Sequence, residues 1–188
     1  MINIIPTGEE FAHAQPIAEM LAHNPTFRSW FIAKTRFVAD ADCQSMHEQI
    51  ERERHHPPFW WRHNHHVSCG CEGCVGGRET DIFNIFFRNP KDKFALHIEV
   101  KHLGDTLKEN QAKRYKQRAS CWAANKPNRI PQHHRAGTVL LYSAAKHTKL
   151  EPLFTHFHNR LTFEEIWAVF PRILDATQAI RKLQSGGR

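Results

Sequence analysis

The alternation of hydrophobic and polar residues predicts secondary structure most clearly in the middle of the chain. Residues 80–87 (TDIFNIFF) and 94–101 (FALHIEVK) are rich in aromatic and β-branched residues, a composition typical of β-strands. The polar segment 88–93 between them predicts a hairpin connection. Residues 137–143 (GTVLLYS) are nearly all apolar, as expected for a third strand that is covered on both faces.

Before these strands, the pattern predicts an N-terminal helical segment of about residues 1–56. Apolar residues recur at helical spacing over residues 9–23 and again over 27–37, and residues 41–54 form a polar helix rich in Glu and Arg. A short strand is then expected at 59–62, followed by an irregular loop.

Two later helices are marked by capping boxes, in which a Thr and a Glu three residues later satisfy each other's backbone N–H groups. Thr106 and Glu109 predict the helix that follows the hairpin, and Thr162 and Glu165 predict a closing helix. The element order is therefore helices, hairpin, crossover helix, strand and helix. This order predicts one α/β domain over 1–188, a three-layer sandwich with a central mixed β-sheet.

Composition and charge narrow the functional classes. Hydrophobic residues make up 40% and charged residues 24% of the 188 residues, as in an ordinary globular domain. No run approaches the roughly 18 apolar residues of a transmembrane helix, and the N-terminus lacks the features of a secretory signal, so no membrane partner and a cytoplasmic location are expected. The net charge of +7 suits an anionic partner such as nucleic acid, although a merely basic surface would give the same charge.

A cluster of charged residues on the predicted hairpin carries the candidate chemistry. Because side chains alternate along a strand, Glu99 and Lys101 share one face, and hairpin pairing places Asp81 opposite them. Paired carboxylates repel unless a cation lies between them, and Mg²⁺ is commonly held by one or two carboxylates together with water. The backbone carbonyl of Val100 is a further candidate ligand. The alternative is a surface salt bridge, because Glu-x-Lys is common in strands.

Three short motifs follow one another around this cluster. They are RETDI at 78–82, IEVK at 98–101 and NQAKRY at 110–115. In this order they resemble the Asp strand, the Glu-x-Lys strand and the Gln-x-x-x-Tyr helix of the PD-(D/E)XK nuclease superfamily. The resemblance covers about residues 78–120 and implies a restriction-endonuclease-like fold.

The resemblance also implies a role for each matching residue. Asp81 and Glu99 would bind Mg²⁺ or Mn²⁺, and Lys101 would serve the attacking water. Gln111 and Tyr115, which lie four positions apart on one helix face, would support the site or contact substrate. The implied activity is metal-dependent hydrolysis of phosphodiester bonds, most simply in DNA.

The sequence departs from the family pattern in two places. Thr80 stands where the superfamily's name has proline. The superfamily usually has an acidic residue on a helix before the first core strand; Glu48 is the candidate and Glu19 the runner-up. The helix after the hairpin carries basic residues that either meet phosphates or form a solvated face, namely Lys108, Arg114, Lys116 and Arg118.

A His/Cys-rich loop at about 60–77 is the second feature of chemical interest. An odd number of cysteines, crowded together, argues against a disulfide framework. Cys71 and Cys74 have the Cys-x-x-Cys spacing of a zinc site, which Cys69 and His66 would complete. A structural Zn²⁺ would hold this loop beside the hairpin; the alternative is a loop that binds no metal.

Three functional hypotheses therefore remain open. The first is a Mg²⁺-dependent nuclease that cuts DNA, with a homodimer or a partner subunit supplying specificity. The second is a catalytically silent nucleic-acid-binding or protein-binding module of the same fold. The third is a zinc-dependent device for binding a partner, in which the carboxylates are structural.

Overall fold

The protein forms an α/β fold whose helices and strands are described by a computed structural model for residues 8–55, 57–64, 79–124 and 130–186. The helices of this part are α1 (Glu9–His23), α2 (Pro25–Ala33), α3 (His47–Glu53), α4 (Glu109–Ala124), α5 (His147–Leu150), α6 (Phe163–Val169) and α7 (Pro171–Gly186). The strands are β1 (Gln44–Ser45), β2 (His63–Asn64), β3 (Glu79–Thr80), β4 (Ile82–Asn89), β5 (Asp92–Lys101), β6 (Arg135–Tyr142) and β7 (Asn159–Thr162).

The main sheet has five strands in the order β1-β4-β5-β6-β7, and β2 pairs separately with β3. The hairpin strands β4 and β5 are antiparallel, whereas β5, β6 and β7 run parallel to one another. The parallel step from β5 to β6 is bridged by α4, as a parallel connection requires. The predicted mixed sheet is thus confirmed, with β5 at its centre.

Helices cover both faces of this sheet, giving the three layers expected from the sequence. One face of β5 packs its alternate apolar residues, including Ile98 and Val100, into a core shared with α1, α2, α6 and α7. The opposite face packs against α3 and α4, where Trp122 and Tyr115 are almost fully buried. Such two-sided burial explains why the central strands are so apolar. None of the helices in the described ranges has the length and apolarity that crossing a membrane requires.

Local sequence signals mark the N-termini of α2 and α6. Asn24 caps α2 by accepting a hydrogen bond from the N–H of Phe27, and Pro25 occupies the first turn. Thr162 and Glu165 form the predicted capping box of α6.

Other predicted boundaries were wrong. The helix expected over 41–54 is confined to α3, because Gln44–Ser45 pairs as an edge strand with β4. The segment 59–62 makes a turn rather than a strand, and α2 ends at Ala33. Helix α4 begins at Glu109 instead of Thr106.

Candidate active site

Asp81 occupies the irregular residue between β3 and β4, where the chain leaves one strand and enters the other. The register of the hairpin pairs Ile82 with Ile98, so Asp81 lies just beyond the end of the regular ladder. Its Oδ2 accepts a 2.7 Å hydrogen bond from the backbone N–H of Val100. The carboxylate therefore takes the place of a strand carbonyl and is fixed against the end of β5.

Glu99 is fully buried on the face of β5 that α4 covers. Its Oε1 accepts two short hydrogen bonds, one from Lys101 Nζ at 2.6 Å and one from Gln111 Nε2 at 2.6 Å. Its Oε2 is also buried and makes no hydrogen bond of ordinary geometry with the described residues. A buried carboxylate oxygen in this position is a ready ligand for a cation.

Lys101 lies next to this carboxylate and is only 5% exposed. Burial by itself lowers the pKa of a lysine, but here the charges of Glu99 and Asp81 outweigh it and raise the pKa above its ordinary value. Lys101 is therefore an ammonium at neutral pH. It can donate hydrogen bonds and supply positive charge.

The site holds more negative charge than its buried lysine neutralises. Burial and the nearby charges of Glu99 and Glu10 raise the pKa of Asp81 well above its ordinary value. Burial, together with the charges of Asp81 and Glu99, likewise raises the pKa of the Tyr115 phenol. Tyr115, which is buried in α4, therefore stays neutral beside the carboxylates. An added cation would relieve this repulsion.

A further carboxylate reaches the site from α1, and the sequence analysis missed it. Glu10 lies in the first turn of that helix, with its Oε2 4.0 Å from Lys101 Nζ. Burial raises the pKa of Glu10; the charge of Lys101 opposes this effect, and the charge of Glu99 adds to it. The only sequence signal was a pair of acids at the start of a predicted helix, which is common at helix N-termini.

The upstream acids chosen from sequence do not reach this position. Glu48 in α3 lines a different pocket, together with Gln49, Phe87 and Lys93. Glu19 lies near the other end of α1, where it pairs with the next turn's histidine. The structure therefore places Glu10, rather than Glu48 or Glu19, beside Lys101.

These side chains line an open pocket of about 460 Å³. The carboxylates of Glu10, Glu79 and Asp81 form one wall with Lys101, and α4 forms the facing wall. The residues that α4 and the loop before it contribute are polar or basic: Lys108, Asn110, Gln111, Arg114 and Arg118. An acidic wall thus faces a basic wall.

Four basic residues of the α4 region, those singled out from the sequence, divide into two groups. Lys108 and Arg114 line the pocket and remain accessible to a ligand. Arg118 is only 1% exposed, and its Nη1 donates to Glu79 O at 2.7 Å and to Thr80 Oγ1 at 2.9 Å. Lys116 Nζ donates to a backbone carbonyl at 2.7 Å. Arg118 therefore anchors β3, and only Lys108 and Arg114 are suitable phosphate contacts.

The residues at the sheet edge fit a hard divalent cation. The described part of the chain has no group of three or more His, Cys, Asp or Glu side chains arranged to hold a metal. Mg²⁺ needs fewer, because it keeps several of its waters. Asp81 and Glu99 offer carboxylate oxygens, and the carbonyl of Val100 faces the Asp81 side, since the N–H and C=O of one strand residue point the same way.

The predicted zinc ligands, Cys69, Cys71, Cys74 and His66, lie outside the described residues. Cys43, which is described, is a free thiol. Burial raises the pKa of the Cys43 thiol to about 12, so this cysteine is an inert part of the core.

Comparison with known proteins assigns no family to the chain. No protein-family model matches it, and neither does any curated protein or any solved structure. The chemistry of this chain is therefore inferred from the residues of the pocket and from their geometry.

Proposed function

We propose that this protein is a Mg²⁺-dependent nuclease of the PD-(D/E)XK type that hydrolyses phosphodiester bonds, with DNA as the expected substrate. One observation carries the proposal: Asp81, Glu99 and Lys101 come together at the edge of the sheet, and Asp81 and Lys101 line a pocket whose other wall is basic. A salt bridge between Glu99 and Lys101 alone would not explain why a second carboxylate, that of Asp81, is buried next to them.

The reaction needs a water activated in line with the scissile bond. The water oxygen forms a new bond to phosphorus, the P–O ester bond breaks, one proton of the water passes to solvent, and the leaving oxygen takes up a proton. Asp81, Glu99 and the Val100 carbonyl would hold the metal. When bound, Mg²⁺ makes a coordinated water more acidic and neutralises charge on the phosphoryl oxygens.

The protein's own side chains supply the remaining steps. Lys101, as an ammonium, donates a hydrogen bond to the attacking water or to a phosphoryl oxygen and stabilises the charge that builds there. Gln111 fixes the orientation of Glu99 through its 2.6 Å hydrogen bond. Neighbours of this kind tune metal ligands by holding them in one orientation.

The basic wall supports a polyanionic substrate. Lys108 and Arg114 line the same pocket as the carboxylates, so they would contact the phosphates next to the scissile one. The net charge of +7 would attract the same substrate from solution.

The test is cleavage of plasmid and single-stranded DNA in Mg²⁺ or Mn²⁺. Wild type is compared with Lys101→Ala and Asp81→Asn, and with Lys113→Ala as a control. Lys113 is an exposed lysine of α4 that pairs with Glu109. The expected result is metal-dependent cutting that falls by about 10²-fold or more in the two site variants and is unchanged in the control.

The other outcomes separate the rival hypotheses. Wild type that binds DNA without cutting it would support the catalytically silent binding module and contradict the nuclease proposal. Wild type that neither binds nor cuts DNA or RNA would remove the nucleic-acid function altogether.

A further inference from the structure

The turn that follows Lys101 is fixed by hydrogen bonds at nearly every residue. The N–H of His102 donates to Asp105 Oδ2 at 3.2 Å, and the N–H of Asp105 donates back to the carbonyl of His102 at 3.2 Å. The His102 ring adds two contacts, Nε2 to Asp105 Oδ1 at 2.9 Å and Nδ1 accepting from the N–H of Gly104 at 3.1 Å. The turn thus has one well-defined conformation.

Two neighbouring elements hold the turn from outside. Lys146, only 5% exposed, donates from Nζ to the carbonyl of Leu103 at 3.2 Å and also to the carbonyl of Asp105. The ring of His13 in α1 stacks on the His102 ring, with 6.0 Å between centroids. Burying an ammonium group is costly, so its use to bind two carbonyls of one turn indicates that the shape of the turn matters.

The residue displayed by this turn is apolar. Leu103 is 67% exposed, although its backbone is held in place. In the chain it lies between Lys101 and Lys108, which both line the pocket. The turn therefore presents a hydrophobic side chain to solvent, two residues after a lysine that lines an otherwise polar pocket.

We propose that Leu103 packs against the nucleobase next to the scissile phosphate and, in a duplex, inserts as a wedge between neighbouring base pairs. This inference rests on the proposed nuclease function and adds a specificity-determining residue to it. Apolar side chains, leucine among them, act in this way where proteins unstack a base step. A fixed turn suits the role, because a mobile loop would lose more conformational freedom on binding.

The position of the basic residues supports the same arrangement. Lys108 and Arg114, which line the pocket, would hold the phosphates, and the turn that carries Leu103 joins Lys101 to Lys108. Phosphate contacts then fix the register of the strand, and Leu103 contacts the apolar face of a base. The inferred substrate is a duplex that is locally unstacked at the site of cleavage.

The test compares Leu103→Ala with Leu183→Ala, a control at a leucine of α7 that is 66% exposed. Both variants are assayed on a duplex and on the same strand alone. Leu103→Ala should slow duplex cleavage by about ten-fold or more and single-strand cleavage by less than about two-fold, because only the duplex must be unstacked. Leu103→Met, which keeps an apolar side chain, should restore duplex cleavage, and thermal denaturation should be unchanged in all three.

A direct readout follows unstacking without cleavage. In a Lys101→Ala background, 2-aminopurine placed beside the mapped cleavage position should brighten on binding when Leu103 is present and stay dim when it is replaced by alanine. Equal losses on duplex and single strand, or brightening without Leu103, would overturn the inference while leaving the nuclease intact. Absence of any cutting by wild type would instead contradict the proposed function.

Discussion

The Asp81 carboxylate accepts a 2.7 Å hydrogen bond from the backbone N–H of Val100. This bond extends the β4–β5 ladder by one side chain and brings a second carboxylate next to Glu99. Both carboxylates are almost completely withdrawn from water. The resulting repulsion is a property of the folded chain that can be measured as stability, as metal affinity and as activity.

The raised pKa of Asp81 predicts that ionisation of this carboxyl destabilises the folded protein as the pH rises. Between its ordinary value of 3.8 and the raised pKa, the folded state binds the proton more tightly than the unfolded state. Stability from this group is therefore present at low pH and is lost as pH rises through the raised pKa. Asp81→Asn, which can still accept from Val100, should be more stable than wild type at pH 8 without metal, because the amide has no charge to bury.

Urea unfolding from pH 4 to pH 8 checks this prediction. The two proteins should be about equally stable at the acid end and should diverge as pH rises. Adding Mg²⁺ should stabilise wild type more than Asp81→Asn, because metal binding favours the ionised carboxylate. A constant difference in stability at all pH values would show that the pKa of Asp81 is the same in the folded and unfolded states.

The hydrogen bond from Gln111 to Glu99 predicts a positioning role. Gln111→Ala should lower kcat by about 10–100-fold with little change in KM, since the metal ligand loses a partner while the phosphate contacts remain. Gln117→Ala is the matched control, because Gln117 is an exposed residue of the same helix. Steady-state kinetics on one oligonucleotide measures both. A rise in KM with unchanged kcat would mean that Gln111 contacts substrate instead.

The contacts of Arg118 predict that its replacement lowers the stability of the fold rather than the affinity for DNA. Its buried guanidinium donates to β3 and lies over the Tyr115 ring, with 4.9 Å to the ring centroid. Arg118→Met should destabilise the fold by about 3 kcal/mol, because the carbonyl of Glu79 and the hydroxyl of Thr80 lose their donor.

Chemical denaturation checks this effect. Arg118→Lys should recover little of the lost stability, since a lysine cannot reproduce the planar fork of the guanidinium. Arg114→Met, on the same helix but facing the pocket, should stay within about 0.5 kcal/mol of wild type. A fully stable Arg118→Met that binds DNA weakly would reverse the assignment.

The basic wall predicts a salt dependence. Lys108→Ala and Arg114→Ala should each weaken binding to duplex DNA and each lower the slope of log affinity against log salt by about 0.9, the value for one phosphate contact. Lys113→Ala should leave the slope unchanged, because that lysine pairs with Glu109. Fluorescence anisotropy over a salt series gives the slopes. If all three variants kept the slope of wild type, the phosphate contacts would lie elsewhere.

Patterns with a short period along the chain were sufficient to predict part of the fold and part of the site. A strand alternates its faces whatever surrounds it, so the sequence alone determined that Glu99 and Lys101 share a face while Ile98 and Val100 pack into the core on the other. Hairpin pairing between the adjacent strands similarly brought Asp81 to them. The capping box of α6 was predictable because all of its hydrogen bonds are local.

The tertiary structure decided which distant residues complete the pocket. Glu10 reaches Lys101 because of how α1 docks on the sheet, and Arg118 is buried because of how α4 lies across β3. Neither docking leaves a fixed spacing in the sequence, since each helix could present several of its faces to the sheet. Local chemistry thus determined the carboxylates and the lysine, whereas the packing of helices on the sheet determined their partners.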